Sequence, residues 1–135
     1  MIHSIDVEIT TPLYPTEVRD RVEAAIHELF PGAEIEERAG ELVAETHSVE
    51  RFAKRLDEQN IGPTAREVFL EGREGDAFSF DLKKAAAFEG VVNFAVGNPD
   101  ELGDLHVRVR VEDRDVGTFI DYLAPGDAGG RPDGG

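Results

Sequence analysis

The stretch from Leu105 to Val111 alternates strictly between apolar and polar side chains. Its apolar positions are all Leu or Val, and the residues between them are His106, Arg108 and Arg110. A period of two places one set on each face of a β-strand, so this strand packs on a core with one face and meets solvent with the other. We therefore expect a sheet that helices cover on one face.

The other predicted elements mix strands and helices without the strict alternation that makes an all-parallel sheet. The first half of the chain is predicted to contain a strand over residues 2–10, a helix capped by Thr16, and a hairpin of Ala33–Arg38 and Glu41–Thr46 around Ala39-Gly40. Two helices follow, one capped by Ser48 and one from Pro63 to Gly72, and then a strand with Phe78, Phe80 and Leu82. The remaining elements are a segment Lys83–Phe88 that is compatible with a helix, a buried strand Val91–Val96, the Leu105–Val111 strand, and a helix capped by Asp113. This order predicts one α+β domain over residues 1–123, a two-layer sandwich of a mainly antiparallel sheet with helices on one face. Residues 124–135, rich in Gly, Pro and Asp, are expected to form a disordered tail.

Acidic residues outnumber basic ones by 29 to 14, which gives a formal net charge of −15. Only three of the basic residues are lysines, and cysteine is absent. This composition is typical of adaptation to molar intracellular salt, where screening weakens self-repulsion and carboxylates keep the surface soluble. An ordinary acidic protein is the alternative. Because the chain also has no signal-like start and no apolar run of about 20 residues, we expect a cytoplasmic protein with no membrane partner.

Motifs of enzymes and cofactor sites are absent from the sequence. There is no nucleophile elbow, no phosphate-binding G-x-x-x-x-G-K and no dinucleotide-binding G-x-G-x-x-G. The four histidines fall on different predicted elements without metal-ligand spacing. The segment Gly72–Gly75 has the G-x-x-G spacing of a nucleic-acid clamp, but a turn that ends a helix is the favoured interpretation. We therefore predict a protein that is not an enzyme and holds no metal or cofactor.

Charge is distributed unevenly along the chain. Residues 51–84 carry seven acidic and seven basic residues, so the whole net charge lies outside this segment. Its cations could contact phosphates, or they could be ordinary solvated partners of nearby carboxylates. With about five phosphate contacts to a single strand, a twenty-fold rise in salt costs roughly four to five decades of affinity. Binding in molar salt must therefore rely on stacking and shape as well as charge.

Residues 79–94, SFDLKKAAAFEGVVNF, together with three shorter segments, resemble the signature of an uncharacterised archaeal family that is predicted to bind RNA and is related to predicted exosome-associated proteins. The shorter segments are Pro15-Thr16-Glu17, Phe30-Pro31 and Leu102-Gly103-Asp104-Leu105. The resemblance implies the α+β fold of the ribosomal protein that contacts 5S RNA, and RNA binding. This chain departs from the signature at Lys83, Ala85 and Val91, where the family has Asn, Gln and a basic residue. Lys84, Gly90, Asn93 and Phe94 fit it.

These observations lead to the hypothesis of a non-catalytic domain that binds structured RNA or a ribonucleoprotein, with no DNA partner expected. The predicted RNA contacts are Lys83 and Lys84, then Arg73, Arg66 and Arg51, and finally Asn93. Phe78 and Phe80 share a strand face with Leu82, which favours a place in the core over base stacking. The alternative is a protein–protein adaptor or a homodimer that uses an open sheet edge or the polar side of Leu105–Val111.

Overall fold

A computed structural model describes residues 4–95, 103–112 and 115–125. The strands are β1 (Ile5–Pro12), β2 (Glu34–Arg38), β3 (Glu41–Thr46), β4 (Arg73–Glu74), β5 (Ala77–Lys83) and β6 (Asp104–Val111). The helices are α1 (Arg19–Leu29), α2 (Glu50–Glu58), α3 (Gly62–Glu71), α4 (Lys84–Ala87) and α5 (Val116–Leu123). None of the described helices is both long and apolar enough to cross a membrane.

The six strands form one sheet in the order β2-β3-β1-β6-β5-β4, and every neighbouring pair is antiparallel. In its centre Val107 lies between Ile9 of β1 and Phe80 of β5. All three side chains are buried, while the alternate residues of these strands, apart from Ala77, are exposed or half-buried. The apolar set packs beneath the helices, which confirms the predicted α+β sandwich with helices on one face.

Phenylalanine rings fill the space between the sheet and the helices. The Phe52 ring on α2 stacks 5.3 Å from Phe30 and 5.4 Å from Phe80, measured between ring centroids. Phe69 on α3 lies 4.8 Å from Phe80 and 5.0 Å from Phe78. The core interpretation of Phe78 and Phe80 is therefore confirmed, and neither ring is available to stack on a nucleobase.

Two glycine-containing turns form as the sequence predicts. Between β2 and β3 the chain turns through Ala39 and Gly40 with φ of 46° and 84°, the left-handed pair that a two-residue hairpin requires. Gly72 ends α3, and a Cβ at this position would overlap the carbonyl oxygen of Ser79. The G-x-x-G segment thus lets two backbones approach closely and leads into the β4–β5 hairpin.

Three predicted helix starts differ from the structure. Helix α1 begins at Arg19 with Val18, 59% exposed, at the cap position, and Thr16 lies in the preceding turn. Helix α2 begins one residue later than predicted, although the Ser48 hydroxyl still accepts a hydrogen bond from the Glu50 N–H at 3.3 Å. The predicted cap Asp113 lies outside the described residues. Asp115 caps α5 by accepting the Thr118 N–H at 3.1 Å.

The segment Val91–Ala95 is a loop, so the predicted strand Val91–Val96 is wrong over its described part. It forms only an isolated bridge between Phe94 and Leu82, and Val96 lies outside the described residues. The physical reason is that the Gln59 side chain binds both the N–H and the carbonyl oxygen of Val92, at 2.8 and 2.9 Å. These bonds take the place of a strand partner.

At the C-terminal end the core extends one residue beyond the predicted domain. Ala124 is fully buried, and its N–H donates to the Ile120 carbonyl oxygen at 2.8 Å. The rest of the predicted tail, apart from the exposed Pro125, lies outside the described residues.

Candidate nucleic-acid interface

Lys84 lies inside the protein. Its ammonium group donates to the Pro12 carbonyl oxygen at 2.8 Å and to both carboxylate oxygens of Glu17 at 3.1 Å. The Tyr14 ring lies 5.5 Å from the same nitrogen. Since the side chain is 0% exposed, a phosphate cannot reach it. The structure therefore corrects the prediction that Lys84 contacts phosphate, and gives this residue a structural role.

Lys83 and Asn93 lie together at the end of β5. The Lys83 N–H donates to the Asn93 carbonyl oxygen at 2.8 Å, and Asn93 is exposed. The alternation of β5 puts Lys83 on the helix-free face of the sheet, opposite Asp104 of β6. Lys83 forms no ion pair with the residues that the structure describes. This corner thus offers one half-buried cation and one exposed amide.

Arg66 and Arg73 lie near α5, away from that corner. Arg66 on α3 forms an ion pair with Asp121 of α5. Arg73 is exposed and lies opposite Phe78 in the β4–β5 register. From Phe78 to Lys83 the strand rises about 17 Å, so Arg73 and Lys83 occupy opposite ends of β5. The predicted contacts do not form a single patch.

The exposed side of α2 carries three cations, Arg51, Lys54 and Arg55, which we call the α2 ridge. Their i, i+3, i+4 spacing places them on one helix face. The Arg51 Nε donates to the Glu28 carbonyl oxygen at 3.4 Å, and the Arg55 Nε donates to the Gly90 carbonyl oxygen at 2.7 Å. Arg55 also pairs with Glu58, whereas Arg51 and Lys54 form no ion pair among the described residues. Two exposed cations are therefore free to bind an anion.

A cavity of about 390 Å³, the α2 groove, opens beside this ridge. It is lined by Pro31, Gly32, Ser48, Glu50, Arg51 and Lys54. A guanidinium, an ammonium and a hydroxyl are the groups that bind phosphate oxygens in proteins. Glu50 is the one carboxylate in the lining, against the two cations Arg51 and Lys54. The groove can therefore hold a phosphate against Arg51 and Lys54.

The helix-free face of the sheet is unsuited to a polyanion. A cavity of about 280 Å³ on this face is lined by both acids and bases, including Asp6, Glu8, Glu45 and Arg108. Arg110 is held within 3.3 Å of three carboxylates, which belong to Asp6, Asp76 and Glu112. The cations of this face are thus already neutralised by neighbouring carboxylates or outnumbered by them.

Among the described residues, no three His, Cys, Asp or Glu side chains are arranged to hold a metal ion.

His47 lies on the helix-free face of the sheet, and we expect it to titrate above its ordinary pKa of 6.5. Its Nδ1 lies 3.0 Å from the Ile5 carbonyl oxygen and 3.1 Å from the Asp6 carboxylate, and both favour the imidazolium. The raised pKa adds stability below the unfolded-state pKa, and this is lost as pH rises through the folded-state value. NMR titration should show a lower His47 midpoint in Asp6→Asn and no change in the control Glu71→Gln, at the end of α3 beside the far edge strand β4. An unchanged midpoint in Asp6→Asn would contradict the assignment.

Comparison with known proteins identifies relatives of this chain. Residues 6–112 match a family model described as RNA binding. A UPF0201 protein of Methanopyrus kandleri is 38% identical over 140 residues, which cover 93% of this chain and 88% of that protein. A UPF0200/UPF0201 protein of Archaeoglobus fulgidus is 37% identical over 130 residues, and the chain spans only 40% of its length.

Solved structures agree with the sequence relatives. The crystal structure of an uncharacterized UPF0201 protein has a TM-score of 0.86 at 37% identity and covers 94% of this chain and 98% of that one. The UPF0201 protein from Methanococcus jannaschii has a TM-score of 0.82 at 32% identity and covers 89% and 99% of the two chains. The relations to exosome-associated proteins and to the 5S-RNA-binding fold stay predictions. The family model and the relatives show that the chain belongs to the archaeal UPF0201 family.

Proposed function

We propose that this chain is a non-catalytic, cytoplasmic RNA-associated domain that contacts structured RNA or a ribonucleoprotein through the α2 ridge and the α2 groove. The observation that carries the proposal is the pair of exposed cations, Arg51 and Lys54, which line one cavity without an ion pair among the described residues. Support comes from the RNA-binding family model, whose match over residues 6–112 includes this surface.

The other predicted contacts support RNA binding less well. Lys83 is a single cation across from Asp104, and Arg66 is already paired with Asp121. Arg73 is exposed but lies at the start of the two-residue edge strand β4, beside Gly117 of α5. We therefore assign only an auxiliary contact to Lys83, on the far side of the sheet from α2, and to Asn93, whose carbonyl oxygen accepts the Lys83 N–H.

The two cations of the α2 groove have complementary roles. The planar fork of Arg51 can bind two oxygens of one phosphate, while the ammonium of Lys54 acts as a point charge one helical turn away. Arg55 donates to the Gly90 carbonyl oxygen and to the Glu58 carboxylate, so it positions the loop that contains Gly90 and adds positive electrostatic potential to the site. Phosphate contacts of this kind fix the register of an RNA and carry no sequence information.

We expect Arg51→Gln with Lys54→Gln to weaken RNA binding and to flatten its salt dependence. Removing two phosphate contacts to the single-stranded loop of an RNA should reduce the slope of log affinity against log salt by about 1.4. Fluorescence anisotropy with a labelled stem-loop RNA, titrated over a range of potassium chloride concentrations, measures both quantities. Arg108→Gln, an exposed cation on the helix-free face of the sheet, is the matched control and should leave the slope unchanged. Equal slopes for the wild type and the double variant would contradict the site.

The alternative hypothesis of a protein–protein adaptor is supported by one structural observation, the open outer edge of strand β2. Among the described residues β2 pairs only with β3, so its outer edge is open to an added strand. Its sequence carries Glu34, Glu36 and Glu37 with only Arg38 to offset them, which opposes pairing with a second copy. A monomer by sedimentation in molar potassium chloride would remove the homodimer version of this alternative.

A further inference from the structure

A third cavity, of about 250 Å³, lies between the start of α1 and the end of α4. We call it the α1 pocket, and its lining consists of Thr16, Glu17, Val18, Arg21, Val22 and Phe88. The volume is below the roughly 300–1,000 Å³ of sites for drug-sized ligands, which suits a single ring system. Val18, 59% exposed, leaves an apolar wall open to solvent in a strongly acidic protein.

The lining of the α1 pocket matches a planar aromatic group. The Arg21 guanidinium carbon lies 5.8 Å from the centroid of the Phe88 ring, and Arg21 forms no ion pair with the described residues. A guanidinium that lies over an aromatic ring offers its outer face as a surface on which a nucleobase can stack. Glu17 does not make the wall repulsive, because the buried ammonium of Lys84 neutralises its carboxylate.

The α1 pocket and the α2 ridge belong to one continuous surface. Arg21 and Glu28 are seven residues apart on one face of α1, about 10 Å along the helix. The Glu28 carbonyl oxygen accepts the hydrogen bond of Arg51, so the ridge begins where this face of α1 ends. On the other side, Gly90 follows Phe88 by two residues, at most about 7 Å of chain, and its carbonyl oxygen binds Arg55.

We propose that the α1 pocket takes one unpaired nucleobase, stacked on Arg21 and Phe88, while the α2 ridge holds the neighbouring phosphates. This inference rests on the proposed RNA function and narrows it to RNA that presents an unpaired nucleotide. An added argument comes from salt, because phosphate contacts weaken steeply in molar salt whereas stacking is not a contact between charges. The cations next to the pocket favour a nucleotide over an aromatic side chain of a partner protein.

The test compares two probes in molar potassium chloride, a labelled single-stranded oligoadenylate and an RNA duplex of the same length. The variant Val18→Trp fills the pocket without a change of charge, and Arg21→Gln removes the guanidinium. Leu70→Trp, at another exposed apolar position outside this surface, is the matched control. We expect tighter binding of the single strand than of the duplex. Each pocket variant should weaken single-strand binding about tenfold, and Val18→Trp should leave the salt slope unchanged.

The possible outcomes distinguish a failure of the α1 pocket proposal from a failure of the proposed RNA function. Normal binding by Val18→Trp, together with loss of binding in the Arg51→Gln, Lys54→Gln variant, would overturn the base pocket and leave RNA binding through α2 in place. Equal affinity of the wild type for duplex and single strand would also overturn it. A wild-type protein that binds neither probe nor the stem-loop RNA would overturn the proposed function, and the pocket with it.

Discussion

Replacement of Lys84 by methionine is expected to destabilise the folded protein by about 3–5 kcal/mol, the usual effect of breaking a buried ion pair from one side. The Lys84 and Glu17 side chains are 0% and 7% exposed. Methionine keeps an unbranched stem of similar length but leaves the Glu17 carboxylate without its partner and the Pro12 carbonyl oxygen without a donor. Urea denaturation in molar potassium chloride measures the free energy of unfolding.

Two comparisons make the Lys84 result specific. The double variant Lys84→Met with Glu17→Gln should recover much of the lost stability, because no charge is then buried and the amide oxygen can still accept the Tyr14 N–H. Lys83→Met, at the half-buried neighbour, should change stability by only about 0.5 kcal/mol. If Lys84→Met were as mild as Lys83→Met, the buried ion pair would not hold this corner together.

The buried ion pair of Lys84 with Glu17 also limits which variants can test RNA binding. A charge reversal at Lys84 would place two carboxyl groups in one buried site and unfold the protein, so a loss of RNA would report unfolding. A joint reversal of Lys83 and Lys84 cannot therefore locate an RNA site. Lys83 alone, or the exposed pair on α2, gives an interpretable result.

Replacement of Phe69 by alanine is expected to cost about 3–5 kcal/mol in the free energy of unfolding. The Phe69 side chain is fully buried, and its ring lies within 6.3 Å, centroid to centroid, of four other phenylalanine rings. Its loss leaves a cavity at the meeting point of α2, α3 and β5 that these rings cannot fill. Denaturation in urea measures the effect, with Leu70→Ala at the exposed next position as the control.

A graded substitution separates packing from binding at this position. Phe69→Leu keeps part of the volume and should cost less than Phe69→Ala, while its RNA affinity should equal that of the wild type because the ring is 0% exposed. A Phe69→Ala cost below about 1 kcal/mol would contradict the close packing of the aromatic cluster. Loss of RNA binding by a folded Phe69→Leu protein would contradict the separation of core rings from the RNA surface.

Periodicity was sufficient to predict the layers of this fold. The alternation in Leu105–Val111 identifies the central strand, and the Ala39-Gly40 pair identifies a hairpin, because both depend on local backbone geometry. Phe78 and Phe80 could be assigned to the core for the same reason. These features require no knowledge of distant contacts.

Features that depend on distant partners could not be predicted. Lys84 resembles any surface lysine in the sequence, and its burial depends on Glu17, which is 67 positions away. The loop at Val92 has the apolar composition of a strand, but Gln59 satisfies its backbone. Arg51 is exposed, and its predicted contact with RNA stays a prediction. The approach of Arg21 to Phe88 joins α1 to the end of α4 and leaves no local signal in the sequence.

The two sides of the molecule differ in the anions they can accept. On the helix-free face of the sheet, the outer positions of β2, β3 and β1 are mainly acidic, and Glu34 and Glu8 both face Glu45 in the register. On the helix side, Arg21 and the α2 ridge surround the α1 pocket and the α2 groove. We therefore expect the sheet face to maintain solubility and the α1–α2 surface to make the specific contact.

The most direct test of the proposed RNA function is ultraviolet crosslinking in the native lysate at molar potassium chloride, followed by purification of the protein and mass spectrometry of its crosslinked peptides. The proposed function predicts enriched RNA with crosslinks on peptides that contain α2 or Phe88, and loss of these crosslinks in Arg51→Gln with Lys54→Gln. Purification without enriched RNA, or crosslinks confined to the strands of the sheet face, would contradict it.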